Sequence, residues 1–492
     1  MRILIADDSV AASKSLRPLF RQGASSRGKK NAARRGSPAL GQVIVSCAPA
    51  KGARGKRSRG RAPKDECACS GLDLGDQPEL AATILDALGV ALLNRGCLTE
   101  GGPLIEQALR IRRNYFGDAH PATAASQISH SRLLRELGDY KGAETAARES
   151  LRINKRVFGP HGMPVAPSLN VLGVAQLAQG EFDAALESAN KGLEILDAHD
   201  PLDRDPNVTR LMDVQGRAQT GLGQLDAAAD TYKRLLDLDV KQLGTKDHPK
   251  YATHLANAAI VREAQGDRQG AEGDYRHAID AFQRSLNRPC LPNLLDTYAN
   301  LGSLLRERDA SGDRTQAGRL FTETLRLDRR VRGESHVAVA NDHANLGRWQ
   351  YDRKKPEALQ SFATAVTVYA ENIDARKFPA EHYLLAEART WQGRILVERG
   401  DRQSARTAEP ILELALAKWP AQLGPDTVGE GIAKACLGWS LYLQRKDLPR
   451  SRQLLAEGLA IAQQKLPADH PLVRQFERWL KEAGGAAGRA SL

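Results

Sequence analysis

From about Gln77 onward, apolar residues recur at helical rather than strand spacing, as in "SLNVLGVAQLAQG" at residues 168–180. Each such stretch ends at a glycine and is followed by a second amphipathic stretch, so the pattern predicts helix, turn, helix, repeated. The turn glycines Gly138, Gly180, Gly223 and Gly266 are spaced 42, 43 and 43 residues apart. Seven residues before each turn glycine, and on through the chain, stand small residues: Gly89, Ser131, Gly173, Gly216, Ala259, Gly302, Gly347, Gly393 and Gly438. A third ladder, Ala143, Ala185, Ala228 and Ala271 with Ala317 and Ala405 as later equivalents, falls in the second helices.

Small residues at fixed places in both helices let two backbones approach closely, and a bulky replacement there overpacks by about 1–3 kcal/mol. A single helix pair cannot bury its apolar face alone, so neighbours complete one another's core and the array is a solenoid. Nine helix pairs are expected between about Gln77 and Val473, beginning near Leu80, His120, Pro164, Pro206, Pro249, Pro292, Val337, Pro379 and Thr427. "HPLVRQFERWLKEAG" reads as a closing helix with Trp479 inward. Two places depart from the pattern: the insertion "RERDASGDRTQAG" at the sixth joint, and "YDRKKPEAL", which lacks its glycine.

The ladders resemble the tetratricopeptide repeat, with small residues at its eighth and twentieth positions and Gly at its fifteenth. The period exceeds the usual value of about 34. The extra residues end in "FGDAHP", "FGPHGMP" and "LGTKDHP", which resemble the joints of the kinesin light chain type of that repeat. HEAT and armadillo repeats share this length but not these Gly and Ala positions. The resemblance implies an all-α, right-handed tetratricopeptide-type helical-hairpin solenoid over residues 77–484, with a short tail at 485–492.

The N-terminus differs. "MRILIADDSVAASKSLRPLF", residues 1–20, resembles the start of the response-regulator receiver family, which implies that Asp7 and Asp8 would help hold a magnesium ion beside a phosphate-accepting aspartate. Where that aspartate should fall the chain reads "VSCAPAKGARGKRSRG", without an Asp. Two adjacent carboxylates cannot complete an octahedral oxygen shell, so a truncated, non-functional receiver-like fragment is expected.

Charge changes the picture only locally. The net charge is +12 and the pI about 9.4, but thirteen Lys and Arg and no acid lie between Arg21 and Lys64, which leaves the repeat region near neutral. Rich in Gly, Ser, Ala and Pro, residues 21–70 read as a basic, unstructured linker. Nucleic-acid binding is an expectation for residues 21–64 alone, through phosphate contacts. Cys47, Cys67, Cys69, Cys97, Cys290 and Cys436 are scattered and read as reduced thiols. No run of about 18 apolar residues exists and acidic Asp7 and Asp8 interrupt any secretory pattern, so no membrane contact and a cytoplasmic location are expected.

No phosphate-binding loop, HExxH, nucleophile elbow or His/Cys constellation is present, so the chain reads as neither an enzyme nor a cofactor or metal carrier. His120, His248 and His470, each before Pro, read as turn residues. Binding is the expected work of a solenoid whose first helices line a concave face. Two residues before the small residue stand Asn257, Asn300, Asn345 and then Trp391; one residue after it stand Arg217, Arg348 and Arg394. In the resembled family, asparagine at this place grips a bound peptide's backbone, its amide donating and accepting together. Together these residues suggest a groove for an extended, acidic peptide of a partner protein with an apolar or aromatic anchor near Trp391, in a scaffold or adaptor of signalling. A plainer reading stands beside it: Trp391 in the core, and Arg348 with Asp352 and Arg394 with Glu398 as intrahelical pairs.

Overall fold

A computed structural model describes residues 77–485 apart from 95–96, 200–204, 286–291, 309–311, 376, 378–381, 418 and 420–426. The receiver-like stretch with Asp7 and Asp8, the basic linker and the last seven residues lie outside the described residues.

Among the described residues there are nineteen α-helices and no strand. The first four pairs are α1 Pro78–Leu93 with α2 Leu98–Phe116, α3 Pro121–Glu136 with α4 Tyr140–Phe158, α5 Val165–Gln179 with α6 Phe182–Asp197, and α7 Pro206–Gly221 with α8 Leu225–Leu243. The next three are α9 Pro249–Ala264 with α10 Arg268–Ser285, α11 Pro292–Arg308 with α12 Asp313–Arg332, and α13 Val337–Asp352 with α14 Ala358–Asp374. Then follow α15 Tyr383–Val397 with α16 Arg402–Ala417, α17 Val428–Gln444 with α18 Leu448–Lys465, and a last helix, α19 Pro471–Gly485. The nine expected pairs and the closing helix are all present. The eighth pair begins at Tyr383 rather than near Pro379, because the His382 side chain caps that helix.

Each helix packs on its neighbours in sequence, and each first helix also approaches the next first helix, whereas second helices make no comparable approach. The first helices therefore form the inner, concave side. The small ladders explain how closely the layers fit: a Cβ at Gly216 would lie 2.8 Å from Tyr232 Cε2, one at Gly302 2.9 Å from Phe321 Cε1, and one at Gly393 2.5 Å from Leu412 Cγ. Ala143, Ala185, Ala228, Ala271, Ala317 and Ala405 are fully buried opposite them. Where a unit carries Ser131, its hydroxyl donates to the Ala143 carbonyl at 2.7 Å, which keeps the contact close without leaving a polar atom unpaired.

Turn chemistry follows from backbone demand. Gly138, Gly180, Gly223 and Gly266 have φ between 74° and 94°, the left-handed region that ends a helix. In the unit without that glycine, Lys354 takes the same conformation, φ 52°. The "RERDASGDRTQAG" insertion lies inside the sixth hairpin rather than between pairs, and Arg308 clasps Asp313 across it with two bonds of 2.6 and 2.9 Å. At the far end Trp479 stacks on Trp439 with ring centroids 5.1 Å apart, closing the last core. No helix among the described residues is long and apolar enough to cross a membrane.

Candidate functional site on the concave face

The first helices carry buried polar side chains that link one unit to the next. Asn257 of α9 is fully buried and its Nδ2 donates to Asp213 Oδ1 of α7 at 2.8 Å. Asp213 also lies 3.6 Å from Arg217, one turn further along α7. Asn300 is buried on α11. On α13, Arg348 donates to Asn345 Oδ1 at 3.0 Å and to Glu387 of α15 at 2.9 Å. Arg348 thus reaches across to the next unit rather than pairing with Asp352, which is held by Arg306 at 2.7 Å.

Trp391 is half-buried. One ring face stacks on Phe362 at 5.7 Å and its edge meets Tyr351 at 5.2 Å. The Arg394 guanidinium lies over both the Tyr351 and Trp391 rings, at 4.9 and 5.1 Å, and its Nε donates to Glu398 at 2.9 Å. Tyr351 donates to the other Glu398 oxygen at 2.6 Å, so Glu398 joins a phenol and a guanidinium beside the aromatic stack. Burial, with Glu398 adding to it, raises the Tyr351 phenol well above its ordinary value. The sequence-predicted residues therefore fall into three groups: Asn257 with Arg217 through Asp213, Asn345 with Arg348, and Trp391 with Arg394; Asn300 stands on its own helix between the first two.

One residue that sequence reasoning did not single out, Asn341, joins the face beside Asn345. Asn341 and Asn345 stand one helical turn apart on α13, 6% and 2% exposed. Arg348 fixes the Asn345 amide, whose Nδ2 is then left without a hydrogen-bond partner among the described residues, as is Asn341 Oδ1. One neighbour thus offers an unused donor and the other an unused acceptor. A cavity of about 190 Å³ reaches Asn341 from the inside; Val174, Leu177 and Phe182 give it an apolar wall, and Arg135, Glu136, Arg217, Asp296 and Arg332 a charged one. Burial pushes the Asp296 carboxyl up to about 6 although Arg332 lies 3.5 Å away. Burial likewise raises Asp342, and neighbouring Asp328 raises it further.

That cavity exists because the solenoid meets itself. His336 and His382 cap α13 and α15, each accepting with Nδ1 from the amide two residues on, at 3.0 and 3.2 Å. The acceptor role places the proton on Nε2, which in His336 donates to the Glu136 carbonyl at 2.7 Å and in His382 to the Ala178 carbonyl at 3.3 Å. Burial holds both rings neutral, lowering His336 to about 3 and His382 to about 4. The Tyr140 amide donates to the Lys377 carbonyl at 2.9 Å, and its ring packs on the cluster formed by Val337, Phe362 and Leu385. His120 and His248, read from sequence as turn residues, also cap their helices, at 3.1 Å each. His336 differs from them locally in preceding Val rather than Pro, and nothing in "SHV" points to a partner two hundred residues away.

Cys436 is a buried free thiol, and among the described residues no group of His, Cys, Asp and Glu is arranged to hold a metal ion.

Comparison with known proteins agrees with this architecture. Family models described as tetratricopeptide repeat match residues 80–156 and 133–198, and another match covers 436–472. No curated protein sequence matches significantly. Solved structures similar to this chain include the kinesin light chain nearly identical TPR-like repeats of Podosopora anserina, at 19% identity over 43% of this chain and 99% of that one, TM-score 0.34. BtubC (BKLC) from P. vanneervenii matches at 20% identity over 49% of this chain and 90% of that one, TM-score 0.33. A Rap protein complexed with competence and sporulation factor matches at 13% identity over 75% and 99%, TM-score 0.47. Residues 80–198 and 436–472 match the tetratricopeptide repeat, and the chain that contains them folds as an all-α solenoid of helical hairpins.

Proposed function

We propose that the protein is a non-catalytic interaction scaffold that holds an extended peptide segment of a partner protein along its concave face. The observation that carries this reading is the Asn341–Asn345 pair: a buried acceptor and a buried donor, one turn apart, each without a partner among the described residues. Leaving such an atom unpaired costs about 1–3 kcal/mol, and although neither atom is exposed as it stands, a guest toward which the two amides turn recovers that cost. A peptide backbone offers N–H and C=O groups in alternation and so suits both. Trp391, with part of its ring surface uncovered beside Arg394, supplies the apolar anchor.

The preference for acidic peptides is a separate part of the proposal. It requires Arg217, Arg348 and Arg394 to exchange Asp213, Glu387 and Glu398 for carboxylates of the peptide. Each arginine already faces a carboxylate within 3.6 Å, so the exchange is near neutral and acidity should tune rather than drive binding. Nucleic-acid contact is confined to residues 21–64, where a steep loss of binding with salt that disappears on their deletion would be its signature.

The test is a random displayed-peptide selection on the full chain, followed by titration of the selected peptide into wild type, Asn341→Ala, Asn345→Ala and Trp391→Ala. A loss of about tenfold or more for each variant, at unchanged helicity, is expected. Selected peptides that bind all three variants like wild type would remove the concave face as the site. Peptides without Asp or Glu enrichment would remove only the acidic preference.

A further inference from the structure

The contacts made by His336, His382 and Tyr140 join residues about two hundred positions apart. The partners lie at the hairpin tips of the second and third pairs on one side, and at the entries to the seventh and eighth first helices on the other. Between them the turns touch: a Cβ placed on Gly138 would come within 3.3 Å of Val337 Cγ2. Nothing in nearest-neighbour packing of a solenoid demands this, since each unit needs only its two neighbours for its core.

We infer that this self-contact is a latch that closes one turn of the superhelix over the concave face, so that a partner segment entering the groove must part His336 and His382 from the opposite hairpin tips. The gating half of this inference rests on the peptide reading above; the latch itself does not. Three features make the contact a device with two states rather than one more core. Its polar part includes, among the described residues, three hydrogen bonds to backbone groups at or beside helix ends, which water can replace when the turns separate. Each histidine keeps its capping bond when the Nε2 bond breaks, so opening leaves α13 and α15 intact. The main apolar group crossing the contact is the Tyr140 ring, seated on a cluster that α13, α14 and α15 complete without it.

The experiment separates capping from latching. Serine caps a helix as histidine does here but cannot span to the far turn. The double variant His336→Ser/His382→Ser is compared with His120→Ser, which loses a capping histidine and its stack on Phe116 but no cross-turn bond, by small-angle scattering and by hydrogen exchange of the full chain without any peptide. The double variant should show a larger radius of gyration and exchange of the Tyr140 amide faster by about tenfold or more, with His120→Ser like wild type at both. A double variant of normal helicity whose scattering and Tyr140 exchange match wild type overturns the latch. Should the double variant not fold, wild type alone decides. Tyr140 opens its helix, so its amide has no intrahelical acceptor and donates across the turn to Lys377. Phe182 opens the next second helix and makes no cross-turn bond among the described residues. Slower exchange at Tyr140 than at Phe182 supports the latch, and equal exchange overturns it. With a selected peptide in hand, an opened variant that associates faster than wild type supports gating, and one that associates no faster overturns it.

Discussion

Lys354 occupies a glycine's place. Its φ of 52° lies in the region where a Cβ crowds the following carbonyl, at a cost of about 1–2 kcal/mol for a non-glycine residue. The turn persists because its neighbours determine it: the Lys354 and Lys355 amides bond back to the carbonyls of Tyr351 and Gln350, each at 2.8 Å. Replacing Lys354 with Gly relieves the crowding but frees the unfolded chain by about 0.4–1 kcal/mol. The net expectation is stabilisation of about 0.5–1 kcal/mol, read as a higher urea midpoint at unchanged slope. An unchanged or lower midpoint would show that the lysine side chain contributes something the backbone argument misses. Other residue positions show how function shares the same helix surface. Asn345 holds Arg348 with one amide atom and leaves the other unused, so one side chain both ties the helix and offers a site.

At the scale of helices, most of the molecule was legible. The helices carry their own period, their glycine stops and their Pro or His starts, and the small ladders mark which faces meet, because close backbone approach tolerates few residue types. The sequence also placed the asparagines, Trp391 and the three arginines on first helices, although not that Arg348 would turn to Glu387 in the next unit instead of Asp352 in its own. That choice depends on the distance between first helices, which no local pattern encodes. The same limit hid the latch, since the residues around His336 point only to a helix start and its second partner lies elsewhere in the chain. Its electrostatics nevertheless yield a prediction. Both latch histidines are neutral in the folded chain, lowered from 6.5 to about 3 and about 4 by burial, with Arg332, Arg135 and Lys377 adding to the effect at His336. As pH falls below 6.5 the unfolded chain takes up these protons first, so stability is lost from about pH 6.5 down to about pH 4 for His382 and about pH 3 for His336. Asp296 has the opposite sign: its raised value favours the folded chain as pH falls from about 6 towards 3.8, which partly offsets the loss. Because Asp296 is common to both proteins, the difference between wild type and His336→Ser/His382→Ser isolates the histidines. Its melting-temperature advantage for wild type should shrink as pH drops from 7 to 4.5, and an advantage independent of pH would show that the rings are not held neutral.

The whole molecule departs from an open solenoid in one respect that equilibrium unfolding can read. In a repeat array without long-range contacts, stability is a sum of unit and nearest-neighbour terms, and the weakest stretch can melt while the rest persists. Joining the second and third pairs to the seventh and eighth changes that rule, because unfolding anywhere in the intervening pairs also separates the latched ends. The latch adds contacts of high sequence separation to an otherwise local fold, so it should raise cooperativity more than it raises total stability. Urea titration followed by helicity should therefore give wild type one steep transition for this region. The serine double variant should give a shallower one with a smaller slope, as separate stretches unfold at their own midpoints. A variant whose midpoint falls while its slope stays that of wild type would mean that the histidines stabilise their own helices only. A reduced slope with a nearly unchanged early midpoint is what a clasp between distant units produces, since breaking it removes coupling without removing any unit's core.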